Sequence, residues 1–264
     1  MNVSSVIKPS ERIVLALRAA AKQGQPALVA FLTAGYPSRA KFREHVTAVA
    51  SEADVVEIGV PFSDPMADGV TIQRSSEAAL RDGVTLGWIL DELSLMPSVK
   101  APLLLMSYMN PLLAFGLERV ARRATGAGVC GFIVPDLPFD ESEDLRAVLA
   151  PENLALVQMV TPVTGRERLS RLAAASQGFV YAVTMTGTTG KNVAAPEDLT
   201  AYLERVRDAA TVPVCAGFGI RNREQIERLR GQVDGVIVGS ALVEVMERGE
   251  SPQEFLAGLR SPRR

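Results

Sequence analysis

One acid side chain interrupts an otherwise apolar run at Asp54-Val55-Val56-Glu57-Ile58-Gly59-Val60. Side chains alternate between faces along a strand, so Glu57 lies opposite Val56, Ile58 and Val60. With those three packed on helices, Glu57 points to the interior of the sheet. Glutamate is rarely buried without a partner, and no basic residue stands near it in sequence. Burial disfavours the charged form and lifts a carboxyl pKa to roughly 6–7, where one group both gives and takes protons. A structural ion pair with a distant Lys or Arg is the alternative. Gly59 is expected to leave room above the carboxylate for a ligand.

The next segment, PFSDPMADGVTIQ (61–73), reads as a long loop and adds Asp64 and Asp68. Each begins a turn dipeptide, Asp64-Pro65 and Asp68-Gly69. Two carboxylates in unlike surroundings can divide the work, one desolvated and exchanging protons, the other a fixed negative charge. Residue types alone do not choose between Asp64 and Asp68 as the second acid. A different chemistry is written at Ala216-Gly217-Phe218-Gly219-Ile220 and at Val238-Gly239-Ser240, which precedes the helical stretch ALVEVMER. Glycines admit close backbone approach, and a helix N-terminus offers unpaired N–H groups to an anion. Together they predict a phosphate site, although Ser240 can serve as an N-cap and Gly219 as a turn. MTGTTGKN (185–192), with Gly187 and Gly190 among three threonines, has the composition of a lid. Tyr181 either stacks on a flat ligand or packs in the core. His45, the only histidine, lies mid-helix in KFREHVTAVA and is read as structural.

These residues must be positioned by short apolar runs, eight of which recur along the chain: 26–32, 54–60, 101–107, 129–135, 154–160, 178–184, 212–218 and 234–240. Continuous apolar runs of this length mark strands covered on both faces, as in parallel sheets. Amphipathic stretches such as PEDLTAYLERVRDAA and REQIERLR lie between them, so the pattern is eight strand-then-helix units. A doubly wound nucleotide-binding sheet expects GxGxxG after its first strand, but here that turn reads TAGYPSRAK. A single (β/α)8 TIM barrel is favoured, as one domain over residues 1–264, with an extra helix from Glu11 to Lys22 closing its bottom. In that fold the active site lies at the C-terminal ends of the strands, and phosphate sites commonly follow strands seven and eight.

The bulk numbers agree. A length of 264 residues is near the roughly 250 typical of such barrels. The 47 % apolar and 22 % charged composition is that of a globular protein. A net charge of −2, from 28 basic and 30 acidic residues, offers no footprint for nucleic acid or an anionic membrane. Cys130 and Cys215 sit in apolar stretches without CxxC spacing, so buried inert thiols are expected rather than a metal site. Neither a signal-peptide core nor a membrane-length apolar run is seen, and a cytoplasmic location is expected.

Several blocks together resemble a known family. FLTAGYP (31–37), VEIGVPFSDPMADGVTIQRSSEAALRDG (56–83), YMNP (108–111), GFIVPDLPFDE (131–141), GFVYAV (178–183), GTTG (187–190), GFGI (217–220) and DGVIVGSALV (234–243) are similar, in order, to the tryptophan synthase alpha chain family. The resemblance runs from about residue 12 to residue 248. It implies a lyase of tryptophan biosynthesis that splits indole-3-glycerol phosphate into indole and glyceraldehyde 3-phosphate. It implies Glu57 as general acid–base and Asp68, rather than Asp64, as the carboxylate at the indole N–H. Phe31 and Tyr181 would line the substrate pocket, Thr189 would be the lid threonine, and Gly190, Gly219, Gly239 and Ser240 would hold the phosphate. Neither metal nor organic cofactor is implied in this chain; pyridoxal phosphate is expected only in a partner beta chain, in an alpha2-beta2 tetramer. Pro61, Asp64, Pro65 and the YMNP segment correspond to the family's surface for that partner.

Two departures accompany the resemblance: Val70 replaces the usual proline after ADG, and the approach to the lid reads Thr184-Met185-Thr186-Gly187. Three other functions compete. An isomerase of histidine or tryptophan synthesis would need acids or thiols at the ends of strands one and five, which here are Thr33 and Thr161. A self-sufficient indole-releasing lyase, or a weak ligand-binding subunit that only regulates its partner, would differ in turnover with and without the beta chain.

Overall fold

Each apolar run becomes a strand only where both its faces find cover. In the computed structural model, which describes residues 7–184, 199–217 and 219–260, the strands are β1 (Ala27–Thr33), β2 (Val55–Gly59), β3 (Leu103–Met106), β4 (Val129–Ile133), β5 (Ala155–Val160), β6 (Val180–Val183), β7 (Val214–Gly217) and β8 (Gly235–Val238). Each pairs in parallel with the next, and β8 returns to β1 to close a barrel. The expected (β/α)8 TIM barrel is therefore the observed fold. Two strands are shorter than their runs because a proline precedes each: Pro102 before β3 and Pro213 before β7 lack the N–H that would continue the ladder.

The alternation separates two cores. Leu28, Ala30 and Leu32 of β1, Val56 and Ile58 of β2 and Leu105 of β3 belong to the outer layer beneath the helices. Val29, Val55, Leu104, Cys130, Val157, Tyr181 and Ile237 fill the interior. Ile13, Leu17 and Ala20 join that interior cluster from the helix Pro9–Ala21, which plugs the barrel much as the Glu11–Lys22 expectation held. Carboxylates just before two strands tie the sheet: Asp54 accepts from the Leu28 N–H at 2.7 Å, and Asp234 from the Val214 N–H at 2.8 Å. No helix among the described residues is long and apolar enough to cross a membrane.

Two local expectations are corrected. The segment 61–73 is not loop throughout, because a helix spans Val70–Arg81. Its buried face is Ile72, Ser75, Ser76 and Ala79, mostly small or polar, so hydrophobic periodicity barely registers it. Val70 is its first residue and is exposed; proline is favoured there because its φ is preset for the helix. The residues after Tyr108 form a further helix, Met109–Phe115. Gly239, not Ser240, is the N-cap of the helix Ser240–Glu247, and no side chain caps it.

Candidate active site

Glu57 is the third residue of β2, in register with Phe31 on β1 and Leu104 on β3. Leu104 belongs to the interior cluster, so the period of two turns Glu57 inward with it. The side chain is 1 % exposed, and its Oε1 has no hydrogen-bond partner among the described residues. With no cation and no donor among the described residues to offset desolvation, burial pushes its pKa up to about 8. That exceeds the expected range, because the alternative ion pair with Lys or Arg is not made among the described residues.

Asp64 and Asp68, equivalent as turn residues, lie in unlike surroundings. Asp64 is exposed and its carboxylate accepts from the neighbouring Ser63 hydroxyl at 2.5 Å. Asp68 is half-buried, and its Oδ2 accepts from the Tyr108 hydroxyl at 3.0 Å. Burial raises its pKa to about 6, against the opposing pull of that hydrogen bond. Across the barrel, the buried Tyr181 hydroxyl is pushed well above the usual phenol range by burial, then by the charges of Glu57 and Asp68. Two acids and one phenol thus share one space above the interior core.

Glycines let the aromatic rings lie there. A Cβ on Gly217 would come within 2.6 Å of Tyr181 Cε1 and Oη, so the ring occupies the room a side chain would need. Gly217→Val is therefore expected to cost about 1–3 kcal/mol through overpacking and to displace Tyr181. Thermal melting checks this, and an unchanged midpoint would mean that the ring has space to move aside. The expectation for Gly59 is corrected on the same ground. A Cβ there would meet Phe31 Cζ at 2.4 Å, so the space above Glu57 is filled by Phe31 rather than open to a ligand. Phe31 clusters with Ile72 and Val243, beside Gly239.

Gly219, Gly239 and Ser240 lie after β7 and β8. Gly239 and Ser240 stand at the start of the helix Ser240–Glu247, whose first N–H groups have no intrahelical acceptor. Gly219 takes a left-handed φ of +80°, and its carbonyl accepts from Gln225 Nε2 at 3.2 Å. Glu244 ties these elements to the Asp68 side: it pairs with Arg221 and accepts from Thr71 Oγ1 at 3.1 Å. Thr189 and Gly190 lie outside the described residues, as does the whole segment 185–198.

Two residues with clear positions were not singled out from sequence. Tyr108 was noted only as part of YMNP, and Thr184 only as part of the lid approach; yet Thr184 Oγ1 donates to the Gly217 carbonyl at 2.8 Å. A tyrosine just past a strand's C-terminal end is the signal that could have pointed to Tyr108. The ends of β1 and β5 carry hydroxyls engaged with neighbours: Thr33 Oγ1 with Ser75 Oγ at 2.7 Å, and Thr161 Oγ1 with Thr164 Oγ1 at 3.1 Å. Neither is the acid or thiol the isomerase alternative needs. His45 sits in the helix Phe42–Glu52, half-buried, as expected of a structural residue. Both cysteines are free and buried.

Carboxylates gathered at the upper ends of barrel strands are how this fold performs proton transfer, so the class defined here is a (β/α)8-barrel acid–base enzyme. A family model described as tryptophan synthase alpha chain matches residues 17–260. The tryptophan synthase alpha chain of Nitratidesulfovibrio vulgaris is 43 % identical over 249 residues, covering 94 % of this chain and 97 % of that one. That of Bacillus mycoides is 43 % identical over 231 residues, covering 87 % and 90 %. Among solved structures, a chain of Mycobacterium tuberculosis tryptophan synthase superposes with a TM-score of 0.85 at 34 % identity, covering 95 % and 99 %. The chain belongs to the tryptophan synthase alpha chain family, lyases that cleave indole-3-glycerol phosphate in tryptophan biosynthesis.

Proposed function

We propose that Glu57 and Asp68 divide the retro-aldol cleavage of indole-3-glycerol phosphate between them. The carbon–carbon bond to indole C3 breaks when C3 gains a proton and the adjacent glycerol hydroxyl loses one. The electrons of that O–H bond then form the aldehyde of glyceraldehyde 3-phosphate, and those of the broken bond return to the indole ring. Glu57 exchanges these protons, a role worth about 10²–10⁴ in rate. Ionised Asp68 faces the indole N–H and stabilises the positive charge that develops there. Phe31 and Tyr181 line the indole and glycerol pocket, with Gly59 making room for Phe31 rather than touching substrate. Gly190, Gly219, Gly239 and Ser240 hold the phosphate by backbone N–H groups, Thr189 closes over it, and the fixed tail aligns the breaking bond. The observation that carries the reading is a buried Glu57 with no cation among the described residues, opposite a Tyr181 hydroxyl that feels the charges of both Glu57 and Asp68.

The same reading includes a beta chain as partner in an alpha2-beta2 tetramer, with pyridoxal phosphate only in that partner, a cytoplasmic location and one domain over residues 1–264. Two segments support a docking face. Phe62 stacks on Tyr108 at 5.0 Å between centroids, joining residues 61–70 to 108–113, and Met66 is 82 % exposed beside them. Indole release is to be measured with the purified chain alone and with the beta chain added. Slow release that rises with the beta chain is expected. No release in either case overturns the proposal, and full speed without the partner points to a self-sufficient lyase.

A further inference from the structure

We propose that Tyr108 is a positioning residue for Asp68, fixing which carboxylate oxygen is presented to the ligand. The inference rests on the reading above, in which Asp68 meets the indole N–H. Its basis is a proton inventory. The Tyr108 oxygen lies 2.9 Å from the Ala67 backbone nitrogen and 3.0 Å from Asp68 Oδ2. An amide N–H can only donate, so it fills a lone pair on the phenol oxygen, and the single phenolic proton is committed to Asp68. Oδ2 is thereby occupied, while Oδ1 takes no hydrogen bond among the described residues. One oxygen is held and the other is left for a donor on the ligand.

The holding group is itself fixed. Tyr108 is 6 % exposed, its ring lies nearly parallel to Phe62 at 26°, and it immediately precedes the helix Met109–Phe115. The first N–H of that helix, on Met109, donates to Asp136 Oδ1 at 2.9 Å and Oδ2 at 3.2 Å. The hydroxyl therefore cannot swing from Asp68 without moving the ring stack or the helix start. On the acid's own side, Gln73 Nε2 donates to the Asp68 carbonyl at 2.9 Å and steadies its backbone, leaving the carboxylate to Tyr108. Among the described residues, the Asp64 carboxylate has only the neighbouring Ser63 hydroxyl as a hydrogen-bond partner.

Among the described residues, the charged and titratable groups around this pair are Tyr181 on β6 and Glu57 on β2, facing the same space, and Asp136 after β4, which acts on Tyr108. None of them supplies a positive charge to Asp68. Removing the phenol hydroxyl withdraws the donor that favours the ionised acid and leaves burial unopposed, so Asp68 takes up its proton at higher pH.

The test is the pH profile of indole release for the wild type, Tyr108→Phe, Asp68→Asn and the double variant. Phenylalanine keeps the ring and its stack on Phe62. Tyr108→Phe is expected to lower kcat about tenfold or more near pH 6, as loss of a hydrogen bond to a charged group does. The deficit should shrink as pH rises, because the acid limb has moved upward, and KM should change little. In the Asp68→Asn background the same substitution should cost nothing further. Should Tyr108→Phe melt early, Tyr108→Met must move the acid limb the same way. A profile identical to wild type, or an equal loss at every pH that persists without Asp68, overturns the positioning role. Wild-type turnover of Asp68→Asn would instead remove the reading of the site beneath it.

Discussion

Glu57→Gln is expected to fold, to bind the phosphorylated substrate and to lose cleavage by about two to four orders of magnitude. The substitution is nearly isosteric, which matters at a side chain 1 % exposed between Phe31 and Leu104. It breaks no ion pair, because none holds Glu57 among the described residues. An amide neither donates a proton to indole C3 nor removes one from the glycerol hydroxyl, while the proposed phosphate-binding residues after β7 and β8 are untouched. The loss should therefore fall on kcat and leave KM nearly constant, the pattern of an interaction made in the transition state. Single-turnover indole release, with a melting curve alongside, measures both halves of the expectation. Turnover within a fewfold of wild type would end the assignment of Glu57 as the proton-exchanging group.

How much of this was legible from residues alone depends on which neighbour decides each feature. Glu57 could be read because strand alternation is local: Val56, Ile58 and Val60 define the opposite face within five residues. The barrel could be read because eight apolar runs recur with helical stretches between them, and parallel pairing follows from cover on both faces. The difference between Asp68 and Asp64 was hidden because the hydrogen bond that sets Asp68 apart comes from Tyr108, forty residues further along. Gly59 was misread for a similar reason. Its open side faces Phe31, a residue of the neighbouring strand offset by two positions in the register, and register is a property of the closed sheet. The helix Val70–Arg81 escaped because it buries two serines and an alanine around a single isoleucine, so its buried stripe looks polar. Resemblance to a family implies a role for Asp68 but places Tyr108 only on a docking surface.

The second large expectation concerns stability rather than rate, and it follows from the same unpaired acid. In the unfolded chain Glu57 titrates near its ordinary value of 4.5, whereas in the folded barrel burial moves it to about 8. A raised folded pKa means that the native state holds the proton more tightly than the unfolded state. Its stabilising contribution is fully present below about pH 4.5 and is lost as pH rises through 8. The whole of it is on the order of 5 kcal/mol, a large share of the 5–15 kcal/mol that holds a typical domain together. Asp68 acts in the same direction over a lower window, its pKa raised from 3.8 to about 6. Other groups also titrate across this range, so the wild-type curve alone would not isolate Glu57. The difference between wild type and Glu57→Gln does, since glutamine carries no proton to lose. The two proteins should melt closest together below about pH 5, diverge steadily between pH 5 and 8 and stay apart above that, with Glu57→Gln the more stable by ten degrees or more near pH 9, at roughly 2–4 °C per kcal/mol for a chain of this size. Parallel melting curves across that range would mean that Glu57 ionises as freely folded as unfolded. A carboxyl of that kind would be charged at neutral pH and would have no proton to offer indole C3, so one titration of stability bears directly on the chemistry.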